Sequence, residues 1–236
     1  MSEPITLTAE AFVARMEAIK SPIEAEKLKK YFKNAVEDEF MGVRMGHLFA
    51  LAKEFIAMPI DEVEKLLESS VHEVRAGGMS IMDKQGRSKK TTVIRRKELY
   101  DLYLRRHDRI NNWDLVDLAA PYVVGQFLWD KPRDVLYELA RSKVVWERRT
   151  AMVASGYFIR QKQVEDAFAL AEILIYDPED LVHKATGWML RASGDVDRAR
   201  LLAFLDKYAA TMPRTTLRYA MEHLDKDLRQ NYLKMK

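Results

Sequence analysis

Apolar residues recur at helical spacing along almost the whole chain, and no segment shows the strict alternation of a half-buried strand. Ser21-Pro22-Ile23-Glu24 has the form of a capping box with proline at the first helical position. Asp177-Pro178-Glu179-Asp180 places a cap and acidic residues at another helix start, and Gly194-Asp195 predicts a stop followed by a restart. The pattern therefore predicts an all-α protein of about a dozen helices.

Weak internal repetition accompanies the helical pattern. Trp113 and Arg149 are 36 positions apart, and Arg149 and Trp188 are 39 apart, close to the ~40-residue period of paired-helix HEAT repeats. Several segments share a cation, then small residues, then apolar bulk: Val74-Arg75-Ala76-Gly77-Gly78-Met79, Arg148-Arg149-Thr150-Ala151-Met152, His183-Lys184-Ala185-Thr186-Gly187-Trp188 and, more faintly, Arg218-Tyr219-Ala220-Met221. We therefore predict a right-handed α-solenoid of HEAT-like repeats with a concave face; an irregular helical bundle is the alternative.

Length and composition favour one soluble domain over residues 1–236, with 48% apolar and 32% charged residues. The absence of cysteine excludes a disulfide framework, a thiolate metal site and a cysteine nucleophile. No apolar run approaches the ~20 residues that span a bilayer, and Met1-Ser2-Glu3-Pro4 lacks the layout of a signal peptide. We expect a cytoplasmic, nucleoid-associated monomer that has no membrane partner.

Positive charge is concentrated in the segment 84–109, although the net charge of the chain is only +3. Ten basic residues stand there against three acidic ones, which makes the segment locally about +7. Such a cluster is typical of a polyanion-binding face, with a solvated helix face as the alternative. Within 77–92, Gly86, Ser88 and a run of Lys and Thr break the helical pattern and predict a mobile loop or a frayed helix end.

Standard catalytic signatures are missing: the chain has neither a Gly-rich phosphate loop nor a Gly-x-Ser-x-Gly elbow. His72 and His183 could contact a ligand, but an ordinary surface or packed histidine is the simpler interpretation. The five histidines lack ligand spacing, so we expect no metal and no cofactor: His47, His72, His107, His183 and His223.

Trp113 and Asp117 are the most informative pair, because residues four apart share one face of a helix and would place an indole beside a carboxylate. Stacked repeats would add Arg149 and Trp188 to the same concave surface. That combination suits an electron-poor sugar next to a phosphate. Arg148 and Arg149 point about 100° apart on a helix, so only one can face the groove, and we assign that place to Arg149. Arg148 is then a surface residue or a partner of a neighbouring helix.

Three motifs together resemble the DNA alkylation repair family of HEAT-like-repeat DNA glycosylases, the AlkD-like proteins. They are Trp113-Asp114-Leu115-Val116-Asp117, Arg148-Arg149-Thr150-Ala151 and Gly187-Trp188-Met189-Leu190-Arg191, in the family's order and at about its spacing. Tyr31-Phe32-Lys33-Asn34, followed by Phe40-Met41-Gly42-Val43, resembles the family's N-terminal segment. The basic segment from Lys84 to Arg96 looks longer than the family's usual connection.

The resemblance implies a metal-independent enzyme that hydrolyses the N-glycosidic bond of cationic N3- and N7-alkylated purines in double-stranded DNA, without drawing the lesion into a pocket. It implies Trp113, Asp117 and Arg149 as catalytic residues, and Tyr31 and Trp188 as residues around the lesion. Arg148 and Arg191, which belong to the same motifs, are further candidates for DNA contacts. A noncatalytic HEAT-repeat module that binds DNA or RNA by shape is the main alternative, and a protein-binding scaffold is a third.

Overall fold

The structure, a computed structural model, describes residues 6–32 and 37–235. These residues form fourteen α-helices, a 3₁₀ turn at His107–Arg109, a π-helical turn at Ala120–Gly125 and no β-strand. The prediction of an all-α protein is therefore confirmed. Lys33 and Asn34 of the N-terminal motif lie outside the described residues.

The helices belong to two compact units, Met1–Val123 and Val124–Lys236. The first unit contains seven helices in its described part: α1 (Ala9–Glu17), α2 (Pro22–Tyr31), α3 (Met45–Glu54), α4 (Ile60–Leu67), α5 (His72–Arg87), α6 (Val93–Arg105) and α7 (Trp113–Ala119). The second unit contributes seven more to the described chain: α8 (Asp134–Leu139), α9 (Val145–Arg160), α10 (Glu165–Leu174), α11 (Asp180–Val196), α12 (Arg198–Tyr208), α13 (Arg214–Ala220) and α14 (Lys226–Lys234).

Each unit stacks alternate helices. In the first unit α5 packs between α3 and α7, while α4 and α6 cover it from the other layer. In the second unit α11 packs between α9 and α13, and α10 lies against both α9 and α11. An amphipathic helix pair buries its apolar face against the next pair in this way, which is the packing that helical repeats use.

The same set of hydrogen bonds forms at the N-terminus of α5, α9 and α11. A Ser or Asp side chain two positions before the N-cap accepts the N–H of the N-cap residue, and a basic side chain four positions after the N-cap bonds back to the carbonyl of that Ser or Asp. The three sets are Ser69–Val71–Arg75, Ser142–Val144–Arg148 and Asp177–Glu179–His183. The basic residue that repeats in the sequence therefore stabilises the N-terminus of a helix by binding the chain that precedes it.

The predicted loop at 77–92 is wrong, because α5 continues to Arg87 and only the residues between it and Val93 are non-helical. A Cβ on Gly77 would lie 2.5 Å from a ring carbon of the buried Phe12, and a Cβ on Gly86 would lie 2.7 Å from the carbonyl oxygen of Tyr122. The missing side chains of these glycines allow Phe12 and Tyr122 to pack closely against α5, and the glycines do not mark a flexible segment.

The helix starts follow the predicted signals with small shifts. Ser21 caps α2 by accepting the N–H of Glu24 at 3.4 Å, while the Glu24 carboxylate binds Arg44 and Lys27 instead of completing the capping box. The restart predicted at Asp195 occurs two positions later, where Asp197 caps α12. Local polar chemistry thus fixes a helix start to within one or two residues.

Gly187→Ala should destabilise the second unit by about 1–3 kcal/mol, the usual cost of overpacking. A Cβ there would lie 2.4 Å from the Cβ of Tyr219 and 2.6 Å from the carbonyl oxygen of Thr216, and the latter belongs to the backbone of α13. Urea unfolding measures the change. Gly46→Ala in α3 is the control, since a Cβ on Gly46 would have no neighbour within 4 Å among the described residues and alanine favours a helix. Equal stability of Gly187→Ala and the unsubstituted chain would contradict this packing.

Candidate active site

Trp113 is the first residue of α7, and its indole lies in a cluster of aromatic rings. The Asn112 side chain caps the helix by accepting the N–H of Trp113 at 2.9 Å. The half-buried indole has its ring centre 6.2 Å from that of Tyr31 and 6.1 Å from that of Phe32. Tyr31 is 66% exposed. The structure therefore brings Tyr31 and Trp113, two of the predicted site residues, into contact at the surface.

Asp117 lies one turn beyond Trp113 on α7 and is half-buried. The four-residue spacing puts its carboxylate on the helix face that carries the indole. Leu115 and Val116, between them, are fully buried and hold α7 against the core of the first unit. The first unit thus presents an indole and a carboxylate from the short helix α7, with the Tyr31 ring of α2 against the indole.

Behind Trp113 lies a buried ionic cluster that the sequence analysis missed. The imidazole of His72 lies between two carboxylates, with Nδ1 3.1 Å from Asp38 and Nε2 2.8 Å from Asp114. Arg75 donates to Asp38 at 2.6 Å and to the Asn111 side-chain oxygen at 3.1 Å. The cluster joins α5, the segment after α2 and the first turn of α7.

The pKa values of His72 and Asp38 indicate that both side chains of the buried cluster are charged. Burial lowers the pKa of His72, but hydrogen bonds to Asp114 and Asp38 outweigh it and raise that pKa to about 9. Burial raises the pKa of Asp38, but hydrogen bonds from His72 and Asn111 and the charge of Arg75 outweigh it and lower the pKa to about 2. A protonated imidazole therefore lies between the carboxylates at neutral pH. His72 was expected to be an ordinary surface or packed histidine. Its two carboxylates are remote in the sequence, so no local pattern indicates the cluster.

Arg149 is buried in the second unit, where its guanidinium donates to the carbonyl of Leu181 near the start of α11. It belongs to α9, which packs against α11. The bond orients the guanidinium across the junction of these two helices. A phosphate contact by Arg149 remains a prediction.

Arg148 has partners within the second unit, so a DNA contact by Arg148 would have to compete with them. Its guanidinium binds Asp177 through Nε at 2.5 Å and Nη2 at 3.2 Å, and it donates to the carbonyls of Ser142 and Lys143. The side chains of Arg148 and Asp177 are 12% and 3% exposed. We therefore assign Arg148 to the junction between α9 and α11, as a partner of the neighbouring helix.

Trp188 and Arg191 lie on α11, and both are half-buried. Arg191 forms an ion pair with Glu222, which follows α13. A DNA contact by Arg191 would therefore have to compete with that carboxylate. Trp188 is one turn beyond Lys184, so the two share a helix face.

Several of the predicted residues occupy the same position relative to the start of their helices. The position five after the N-cap holds Asp117 on α7, Arg149 on α9, Lys184 on α11 and Arg218 on α13. Within the second unit α9, α11 and α13 pack in succession, so this register forms a row of three basic residues. Tyr31, Trp113 and Asp117 belong to the first unit and Arg149 and Trp188 to the second. Their presence on one concave surface remains a prediction.

Most of the basic residues between 84 and 109 already have partners inside the first unit. Arg95 donates to the carbonyl of Met58 and Arg96 to that of Ser88, while Arg109 donates to the carbonyls of Leu67, Glu68 and Ser69 at the end of α4. Ion pairs or ring contacts engage the others, namely Lys84, Arg87, Lys97, Arg105 and Arg106.

Lys89 and Lys90 are exposed, and neither side chain has a partner among the described residues. The segment 84–109 therefore stabilises the fold more than it presents free charge. A polyanion-binding face in this segment remains a prediction, and Lys89 and Lys90 are its two exposed lysines whose side chains have no partner among the described residues.

Comparison with known proteins identifies the group to which the chain belongs. A family model described as DNA alkylation repair enzyme matches residues 12–224. The chain belongs to the DNA alkylation repair enzyme family. Its place in that family makes it an enzyme of DNA alkylation repair, with DNA as its partner.

The chain is also similar to a solved structure, that of a predicted DNA alkylation repair enzyme from Enterococcus faecalis. The TM-score is 0.69 at 16% identity, over 88% of this chain and 97% of the other. At that identity the likeness shows a shared fold. No curated protein matches the chain. Among the described residues, no helix combines the length and the apolar character that crossing a bilayer requires.

Proposed function

We propose that the chain is a monofunctional DNA glycosylase that hydrolyses the N-glycosidic bond of cationic N3- or N7-alkylated purines in double-stranded DNA, as the first step of base excision repair. One observation carries the proposal: α7 presents Trp113 in contact with Tyr31 and, one turn later, the carboxylate of Asp117. Membership of the DNA alkylation repair enzyme family supports a role in alkylation repair, and base release is the form of repair proposed here.

The chemistry needs few protein groups. A purine alkylated at N3 or N7 carries a positive charge and leaves as a neutral base, so it requires no strong general acid. The barrier lies in the oxocarbenium-like deoxyribose, as in glycoside hydrolysis generally. The Asp117 carboxylate would stabilise that cation and orient the attacking water. The indole of Trp113 would offer a π face to the developing charge.

The second unit supplies a phosphate contact and a second indole in this proposal. In this proposal the guanidinium of Arg149, which donates to the carbonyl of Leu181, also binds a phosphate beside the lesion. Trp188 would flank the sugar as Trp113 does. Lys184 is ion-paired with Asp180 at 2.8 Å, and that hydrogen bond raises the pKa of Lys184. A protonated amine is a poor Schiff-base nucleophile, so we expect base release without strand cleavage.

The deciding experiment measures release of 7-methylguanine from methylated duplex DNA by the purified protein, with unmethylated duplex as the control. The expected result is free base together with an abasic strand that breaks only after alkali. Strand cleavage without alkali would contradict the monofunctional assignment. Tight DNA binding with no base release would favour the noncatalytic DNA-binding module.

Affinity for duplex DNA should fall steeply with salt concentration, because each neutralised phosphate adds about 0.9 to the slope of log K against log salt. Arg218 is exposed in the basic row of the second unit, so Arg218→Ala should reduce the slope by about 1. Lys97→Ala is the control, since Lys97 pairs with Asp101 at 2.5 Å. Fluorescence anisotropy over a salt series measures both slopes. An unchanged slope in Arg218→Ala would remove this row from the DNA interface.

A further inference from the structure

The buried cluster around His72 contacts the helix that carries Trp113 and Asp117 through two routes. The first is polar: Nε2 of His72 binds Asp114, which lies in the first turn of α7 beside Trp113. The second is aromatic: the Phe32 ring centre lies 4.6 Å from that of His72 and 6.1 Å from that of Trp113. Both routes end at the residues that begin α7.

The same imidazole is fixed from the other side. Nδ1 of His72 binds Asp38, and Asp38 in turn accepts hydrogen bonds from Arg75 and Asn111. The next residue of α5, Glu73, accepts the backbone N–H groups of Gly42 at 2.7 Å and of Val43 at 3.3 Å. His72 is 1% exposed, so these contacts are shielded from water and hold it in one orientation.

We propose that His72 is a positioning residue: by binding Asp38 and Asp114 at once, it fixes the first turn of α7 and so holds Trp113 and Asp117 in place for the excision reaction. The proposal rests on the proposed function. His72 touches neither the lesion nor the sugar in this account. Its effect reaches the chemistry through α7, and a misplacement of catalytic groups by about 1 Å can cost up to a hundredfold in rate.

The proposal requires a protonated imidazole, because only the cation donates from both ring nitrogens to two carboxylates. The charged groups around His72 are Asp38 after α2, Asp114 on α7, and Arg75 and Glu73 on α5. Carboxylates and guanidinium groups generally titrate far from pH 9. His72 is therefore the group of the cluster that loses its proton there.

The pH dependence has a definite sign. The pKa of His72 is raised from 6.5 to about 9 by the fold, so its contribution to stability is fully present below about pH 6.5 and is lost as the pH rises through about 9. The excision rate constant should fall over the same range. His72→Gln should lack that alkaline fall, since glutamine does not titrate.

The test compares His72→Gln with His107→Gln, a second buried histidine of the first unit that packs against Tyr103. Single-turnover excision by His72→Gln should fall about tenfold or more at pH 7, with unchanged affinity for undamaged duplex. His107→Gln should keep the wild-type rate per folded molecule. Equal rates in His72→Gln and wild type, or equal losses in the two variants, would overturn the proposal.

A second readout does not depend on activity. With 5-fluorotryptophan incorporated, the ¹⁹F signal of Trp113, assigned through Trp113→Phe, should shift in His72→Gln and stay in place in His107→Gln. An unshifted signal overturns the positioning role even if the enzyme is active. A shifted signal in a protein that releases no base supports the positioning role and refutes only the glycosylase assignment.

Discussion

Asp117→Asn should lower the excision of 7-methylguanine by about a hundredfold or more, on the scale of removing one preorganised electrostatic group. The substitution keeps the size of the side chain and removes its charge. If the carboxylate stabilises an oxocarbenium ion, its loss raises the barrier and leaves the ground state nearly unchanged. Affinity for lesion DNA should stay the same or tighten, because a negative charge near phosphates is removed.

Single-turnover kinetics and equilibrium binding separate these two effects, since a lower rate at unchanged affinity marks an interaction made only in the transition state. Asp101→Asn is the matched control: Asp101 is also a half-buried aspartate on a helix of the first unit, and it pairs with Lys97. The control should excise at the wild-type rate. Wild-type excision by Asp117→Asn would refute the mechanism proposed here.

Local sequence signals predicted the elements that carry the candidate site. Trp113 and Asp117 are four positions apart, so the sequence alone indicated that they share a face of one helix, which the structure shows to be α7. The repeated basic position at Arg75, Arg148 and His183 also has a structural basis, since each side chain bonds the carbonyl six positions earlier. These features depend on residues within one or two helical turns of each other.

Features that depend on tertiary contacts escaped the sequence analysis. Gly77 and Gly86 looked like loop residues, but the ring of Phe12 and the backbone of Tyr122 occupy the space that their side chains would need. The ionic cluster unites His72 with Asp38 and Asp114, which lie on either side of it far along the chain. No local pattern signals such a pairing.

Counting charges also left out tertiary contacts. Ten basic residues between 84 and 109 suggested a polyanion-binding face, yet a count of charges does not reveal their partners. Arg95, Arg96 and Arg109 mostly satisfy backbone carbonyls at helix ends and in turns, which a guanidinium can do with several donors at once. The row of Arg149, Lys184 and Arg218 has fewer charges, but each of these residues occupies the same position after its N-cap that Asp117 occupies on α7.

Arg148 and Arg149 are adjacent, and their alanine variants should fail in different ways. Arg149→Ala should weaken lesion-DNA binding and single-turnover excision together, by roughly tenfold or more, the scale of a charge-assisted hydrogen bond of ~1.5–3 kcal/mol. The guanidinium would contact the phosphate in the ground state as well as in the transition state. Arg148→Ala leaves the buried carboxylate of Asp177 without its ion pair, so it should cost about 3–5 kcal/mol of stability.

Each arginine variant is the control for the other, because the two substitutions remove the same side chain one position apart on α9. Urea unfolding gives the stability of both, and kinetics corrected for the folded fraction give the excision rate. Arg148→Ala should excise at the wild-type rate per folded molecule, since Arg148 serves the junction between α9 and α11. If Arg148→Ala instead loses DNA binding while Arg149→Ala retains it, the two roles are reversed and the phosphate contact belongs to Arg148.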